Sequence, residues 1–371
     1  MESTIGGTRR HIVDVAREQL ALGIDVQLCV STLRDPRFEQ DLQALEALGC
    51  GVERLDMTRE IRPGRDYKHW RAIESTLKRL QPEVIHTHSS KAGVLGRLAS
   101  LSTDIGVRVH TPHTFAFLFE AMFGAAKRAM FRTLESQLAA HSSAVVAVSP
   151  SEGHAFHTSQ VVATSRIRVV VNGIVPDAFL DATPMTRERL DVPAGVPLTA
   201  VIGLLNAAKG QDLALRALAE PGCEGVHLII AGMGEDEQAC RELAKELGVA
   251  ARVRFFGWCE EVPALLAALD FLLLPSRWEG MPYVVLEAMA SRLPVVAAPV
   301  SGATDLVENG LTGFVTASAS PEHLASGMKQ LLGCESAALE AMGERGQRAV
   351  LERYTARTMA ERLIQVYRDV S

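Results

Sequence analysis

Residues 270–299 read DFLLLPSRWEGMPYVVLEAMASRLPVVAAP, and this stretch restricts the fold more tightly than any other. Phe271, Leu272, Leu273 and Leu274 form a short apolar run stopped by Pro275, the pattern of a buried strand. Residues 276–280 are a loop. Pro282 suits the first turn of a helix, where its missing N–H costs nothing. Pro294 stops that helix, and residues 295–298 read as the next buried strand. In such a unit a ligand sits beyond the carboxyl end of the first strand, against the helix N-terminus. There the backbone N–H groups of Gly280, Met281 and Tyr283 are placed to hold an anion. Glu279 lies on the loop and Glu287 two turns into the helix. A carboxylate accepts two sugar hydroxyls and repels phosphate, so both suit the sugar side of a nucleotide sugar. The same spacing also fits two solvated glutamates on an ordinary strand–helix–strand.

The chain's 371 residues suit two or three domains. Its 47% hydrophobic content with few aromatics suits a large α/β core. No window reaches the roughly 18 uninterrupted apolar residues of a membrane span, and no secretory signal opens the chain. Six cysteines are scattered without a CxxC, which fits reduced thiols, a cytoplasmic setting and no metal site. A net charge of −6 argues against a nucleic-acid partner. Residues 1–175 carry 21 Lys/Arg against 18 Asp/Glu, residues 176–371 17 against 26, and nine of the eleven histidines lie in the first part.

Strand and helix patterns alternate along the whole chain. Residues 9–22, 42–48 and 70–80 read as helices, and 26–30, 84–87, 107–111, 144–148 and 167–171 as strands. A doubly wound domain ordinarily opens with an apolar strand before its glycine loop. Here Gly6 and Gly7 open the pattern, so the first strand is expected to be missing or replaced. Gly6 and Gly7 stand where a ligand can approach backbone. The turn Ser89–Ser90–Lys91 opening the next helix is a second possible anion site. His113 follows a strand end, where a catalytic or positioning group would lie, although a lone histidine there also serves structure. Phe115, Phe117, Leu118, Phe119, Met122 and Phe123 precede Lys127, Arg128 and Arg132. This patch is either a membrane or lipid-acceptor surface or a core-facing segment. Residues 175–196 have the proline and charge of a linker. The alternation then restarts, with strands at 199–205, 226–231 and 253–256, and ends in an amphipathic helix at 355–370. No period of 20 to 50 residues recurs. Two parallel-sheet domains facing a central cleft are expected, at residues 1–175 and 176–354, with 355–371 a helix crossing back to the first.

Gly6–Gly7, Asn172–Gly173–Ile174, Lys209–Gly210, Gly232–Met233–Gly234, Phe256–Gly257 and the Glu279…Glu287 pair fall in one order along the chain. In that order they resemble the family-four retaining glycosyltransferases, an α/β class of GT-B fold with two Rossmann-like domains. The runs HTHSSKAGVLGR and VRVHTPHTFAF look like the subgroup that builds exopolysaccharide, capsule or O-antigen chains. The resemblance implies a nucleotide-sugar donor, UDP-linked by the family's habit, and a lipid-linked or glycan acceptor, with peripheral membrane contact. Glu287 would bond the ribose and Glu279 a donor-sugar hydroxyl. Gly280, Met281 and Pro282 would line the diphosphate or sugar, and Lys209 would neutralise the diphosphate. Gly203, Gly232, Phe256, Gly257 and Asn172 complete the donor-binding set. Gly6 and Gly7 would meet phosphate and acceptor, and His113 the reacting sugar. No cofactor or metal is expected, since Lys209 and helix N-termini take that role and no Asp-x-Asp is present.

One departure stands out. The family's Gly-Arg-Leu is Gly203–Leu204–Leu205 here. Loss of that arginine's contact with a diphosphate costs about 1.5–3 kcal/mol, roughly one to two decades of rate if felt only in the transition state. Two other readings remain open: a nucleotide-sugar epimerase on the same fold, and a non-catalytic partner in a polysaccharide assembly complex. A nicotinamide dehydrogenase is disfavoured, because no GxGxxG follows an opening strand.

Overall fold

The structure, a computed structural model, describes residues 6–33, 35–58, 60–118 and 123–371. The chain divides into two units, one running to Asn172 and resuming at Ala356–Ser371, the other spanning Gly173–Thr355.

In the first unit helices and strands alternate: α1 (Gly7–Ala21), β1 (Gln27–Val30), α2 (Phe38–Ala47), β2 (Gly51–Arg54), α3 (Pro63–Leu80), β3 (Val84–His88), α4 (Ser90–Thr103), β4 (Val107–Thr111), α5 (Ala125–Ala140), β5 (Ala144–Ala147), α6 (Pro150–Ser159) and β6 (Ile167–Val169). All pairings are parallel. β3-β4-β5-β6 form a four-stranded sheet, while β1 and β2 stand as a separate pair. Among the described residues β3 therefore pairs on one side only. β5 shows how the period of two builds layers. Ala144 and Val146 pack with Val15 of α1. Val145 and Ala147 face the other way, toward Phe115, Phe117 and Phe156. β2 was absent from the sequence reading. Its GVER is polar, because Arg54 reaches Glu39 and Glu46 of α2 rather than a core.

The second unit contains α7 (Asp177–Leu180), α8 (Arg187–Leu190), β7 (Leu198–Ile202), α9 (Gln211–Leu218), β8 (His227–Ala231), α10 (Glu237–Glu246), β9 (Val253–Gly257), α11 (Val262–Ala267), β10 (Phe271–Leu274), α12 (Tyr283–Ala290), β11 (Val295–Ala297), α13 (Ala303–Leu306), β12 (Gly313–Val315), α14 (Pro321–Leu332) and α15 (Ser336–Arg353). Its six strands are parallel in the order β12-β11-β10-β7-β8-β9. β8 and β9 extend the sheet to one side of β7, and β10 then starts the other side. The order thus reverses between β7 and β10, which is where doubly wound sheets bind ligands. The last helix, α16 (Ala356–Val370), belongs to the first unit, with Met359, Leu363 and Val366 in the core beside Val15.

Three expectations change. Residues 175–196 are no free linker: Phe179, Met185, Leu190 and Val192 are buried and Met185 N–H bonds Ala264 O. Four apolar anchors at that spacing outweigh the prolines. Phe115 and Phe117 are core, stacked on each other with Phe115 tilted onto Phe156, so that part of the greasy patch is not a surface. Phe119 and Met122 lie outside the described residues. Pro282 caps α12 from outside instead of opening it, so Glu287 stands just over one turn into the helix and not two. Among the described residues, no helix is long and apolar enough to cross a membrane.

Candidate active site

The loops after β7 and β10 meet where the second unit's strand order reverses. Lys209 Nζ donates to Glu279 Oε1 at 2.7 Å, and Ser276 Oγ donates to the same oxygen at 2.8 Å. Arg277 ties the loops together a second time. Its N–H bonds Ala208 O at 2.8 Å, and its guanidinium holds Ala207 O and both oxygens of Asp212. Arg277 is the other cation of these loops; it is held by both oxygens of Asp212, whereas Lys209 meets a single oxygen of Glu279. The Lys209 side chain is 27% exposed against 11% for Glu279, so the ammonium keeps donors for a second partner. Leu204, where an arginine was looked for, supplies its carbonyl to Gln211 Nε2.

Glycines let these loops approach. Gly210 has φ +68°, and a Cβ there would stand 2.3 Å from Pro275 O, so only glycine lets the Lys209 turn close on the β10 loop. Gly203, Gly232 and Gly257 end β7, β8 and β9 in step: Gly203 N–H bonds Ala231 O and Gly232 N–H bonds Gly257 O. A Cβ on Gly232 would fall on the Gly203 carbonyl. Phe256 lines a cavity of about 270 Å³ with Trp258 and Met185. On the far side, Gly280 and Met281 pack against Gly302, and Glu287 is half-buried on α12. The structure thus brings Lys209, Glu279 and Gly203 together, with Gly280, Met281, Pro282 and Glu287 following on one loop and helix.

Asn172 belongs to the first unit, is 3% exposed, and accepts from His11 Nδ1 at 2.9 Å. His113, read as a lone histidine, has company. His88 Nδ1 lies 3.2 Å from His113 Nε2, and the His11 ring packs edge-on to His113 with centroids 4.8 Å apart. His86 bonds Tyr367 Oη and Thr111 Oγ1. Gly6 caps α1 at φ +97°, one turn before His11. His113 and Thr114 hold left-handed φ values of 52° and 77°, unusual for residues with side chains. Glu152 keeps them there, its two carboxylate oxygens accepting Thr114 N–H and Val148 N–H. Burial pushes the Glu152 carboxyl up to about 7. Burial also lowers His11 to about 4 and His88 and His113 well below 6.5, so all three are neutral at pH 7. The sequence reading missed His11, His86, His88 and Glu152. The signal available was HTH, whose His86 and His88 share one face of a strand end.

Two family descriptions match, in the order of the two units: Glycosyl transferase 4-like domain over residues 6–173, and Glycosyl transferases group 1 over residues 183–349. The chain belongs to the family-four glycosyltransferases. It is an enzyme of glycosyl transfer, and its parallel-sheet architecture is that of GT-B. Anabaena HepE, solved in complex with UDP and glucose, has the same fold, at a TM-score of 0.81 and 22% identity over 100% of this chain and 98% of that one. The transferase is also 27% identical over 390 aligned positions, 99% of its length and 90% of the relative's, to the D-inositol 3-phosphate glycosyltransferase of Corynebacterium diphtheriae. It is 26% identical over 70% of its length, and 68% of the relative's, to the UDP-Gal:alpha-D-GlcNAc-diphosphoundecaprenol alpha-1,3-galactosyltransferase of Escherichia coli. The transferase's relatives therefore include enzymes of polysaccharide and lipopolysaccharide synthesis.

Proposed function

We propose that this transferase moves a hexosyl group from a UDP-sugar to a hydroxyl of a lipid-linked or growing glycan acceptor, with retention at the anomeric carbon. The observation that carries the reading is the Lys209–Glu279 pair at the strand-order reversal. It sets a cation for a diphosphate beside a carboxylate for sugar hydroxyls. UDP is favoured because HepE has been solved with UDP-glucose and the E. coli relative is named for UDP-Gal. The lipid-linked acceptor follows that relative's name. α5 supports a peripheral membrane contact. Its exposed side chains include Met130 and Leu134 beside Lys127 and Arg132.

In this reading Glu287 bonds the ribose, Glu279 a sugar hydroxyl, and the backbone at Gly280 and Met281 the sugar or diphosphate. Lys209 meets the charge that grows on the leaving diphosphate. The acceptor oxygen bonds the anomeric carbon on the face from which the diphosphate leaves. The carbon–phosphate oxygen bond breaks, and the acceptor proton passes to the departing phosphate oxygen. This route needs no carboxylate nucleophile of the kind that retaining hydrolases use. His113 positions the reacting sugar.

The test is incubation with UDP-glucose, UDP-galactose and UDP-N-acetylglucosamine, with and without a polyprenyl-diphosphate sugar. UDP release that requires acceptor, with an α-linked product by NMR, is expected. Donor isomerised without acceptor would make the protein an epimerase instead. Since Lys209 supplies the charge at the diphosphate, transfer is expected to continue in excess EDTA. Complete loss that divalent ions restore would remove this account of the leaving group.

A further inference from the structure

We propose that His11, His88 and His113 form a binding site for a divalent transition-metal cation of the Zn²⁺, Co²⁺ or Ni²⁺ kind. One ring nitrogen from each lies within 4.8 Å of the other two. Metal–imidazole bonds are about 2.0–2.1 Å, so two ligands on a tetrahedron stand about 3.3 Å apart. His88 Nδ1 and His113 Nε2 are already 3.2 Å apart, joined by a hydrogen bond whose proton a cation would displace. The widest separation within the group is 4.8 Å, so the third ring needs to close by up to about 1.5 Å.

His11 carries the second, independent argument. It is 1% exposed, and its Nδ1 lies against the acceptor oxygen of Asn172 at 2.9 Å. That bond puts the ring proton on Nδ1 and leaves the lone pair on Nε2. Nε2 is buried and has no hydrogen-bond partner among the described residues. A buried acceptor without a partner calls for a ligand or ion, and a cation would satisfy it. Asn172 is then the outer-sphere partner that orients a ligating histidine. His86 is excluded as a ligand because both its nitrogens are engaged, by Tyr367 and Thr111. His110 stands outside the group: its Nδ1 bonds Thr87, and its Nε2, also without a hydrogen-bond partner among the described residues, lies 3.6 Å from Glu135. His88 and His113 are half-buried, which leaves a way in from solvent and a fourth position for water. Three neutral imidazoles without a carboxylate suit a borderline transition cation and not Mg²⁺ or Ca²⁺. The backbone strain at His113 and Thr114, held by Glu152, is consistent with a ring kept in place for a ligand.

The cation proposed here is distinct from any role at the diphosphate, which Lys209 fills. It ties up His113, so micromolar Zn²⁺ should inhibit transfer and EDTA should reverse that inhibition. The deciding experiment needs no substrate. The full chain is freed of metal and titrated with Co²⁺ at pH 7.5, reading the intense visible absorption of four-coordinate cobalt. One equivalent is expected to bind, with Zn²⁺ displacing it. His11→Ala should lower affinity at least 100-fold, and Asn172→Ala by about 10- to 100-fold. His227→Ala, in the other unit, should leave binding unchanged. Circular dichroism confirms folding, and His88→Ala provides the same readout should His11→Ala not fold. Only the weak spectrum of six-coordinate cobalt, or a signal that survives His11→Ala and His88→Ala, would overturn the site.

Discussion

Lys209→Ala is expected to lower kcat/KM of transfer by about 10²–10³-fold, and Glu279→Ala by at least about 10³-fold. Both groups sit at one point of the sheet, and in the proposed mechanism they act on different ends of the same bond. There Lys209 would meet the charge on the departing diphosphate, which is larger in the transition state than in the bound donor, so its removal should fall on kcat. Glu279 would hold the sugar, so its removal should also disorient the anomeric carbon. The two bonds on Glu279 Oε1 make the pair interdependent: Lys209→Ala leaves a mostly buried carboxylate with Ser276 as its remaining partner. The double variant should therefore lose less than the product of the single losses. Thermal midpoints should shift little, since each change removes one or two side-chain bonds worth about 1 kcal/mol apiece. Measuring initial UDP release against donor concentration separates kcat from KM. Near-normal turnover in Glu279→Ala would place the sugar elsewhere.

The second expected result is that the first unit unfolds in mild acid while the second does not. Burial lowers His11 to about 4 and His86 to about 3, and lowers His88, His110 and His113 well below 6.5. A base whose folded pKa is depressed contributes full stability above its unfolded pKa. That contribution is lost as pH falls from 6.5 toward 4 and 3, because the unfolded chain takes up protons the folded one refuses. Glu152, raised to about 7 by burial, works in the opposite direction between pH 7 and 4.5, as does Asp14 at lower pH. Through that window the unfolded chain binds more protons than the folded one, so stability falls as pH falls. The second unit has only His227 and His323, with His227 lowered by partial burial. Hydrogen exchange of β3–β5 against β7 and β10 at pH 7.5, 6.5 and 5.5 measures the two units separately. Equal protection of both units at pH 5.5 would mean that these histidines are not held neutral.

Much of this protein is written locally. The uninterrupted apolar strand Phe271–Leu274, the glycine turns and the capped amphipathic helices specify parallel α/β layers wherever they occur, because strands buried on both faces need no alternation. The ordered motif set likewise places Lys209 and Glu279 without reference to the rest of the chain. Spacing left open whether the two glutamates were merely solvated, since sequence distance carries no information about which loops meet. The 2.7 Å contact across 70 residues depends on β10 entering the sheet beside β7, and on a glycine at 210 that lets the loops touch. The same limit hid the histidine cluster. His11, His88 and His113 come from a helix and two strand ends, and only parallel stacking of those ends brings the rings together. Residue type and period determined the elements. The long-range order of the strands, fixed by burying both faces of each sheet at once, decided which side chains share a site.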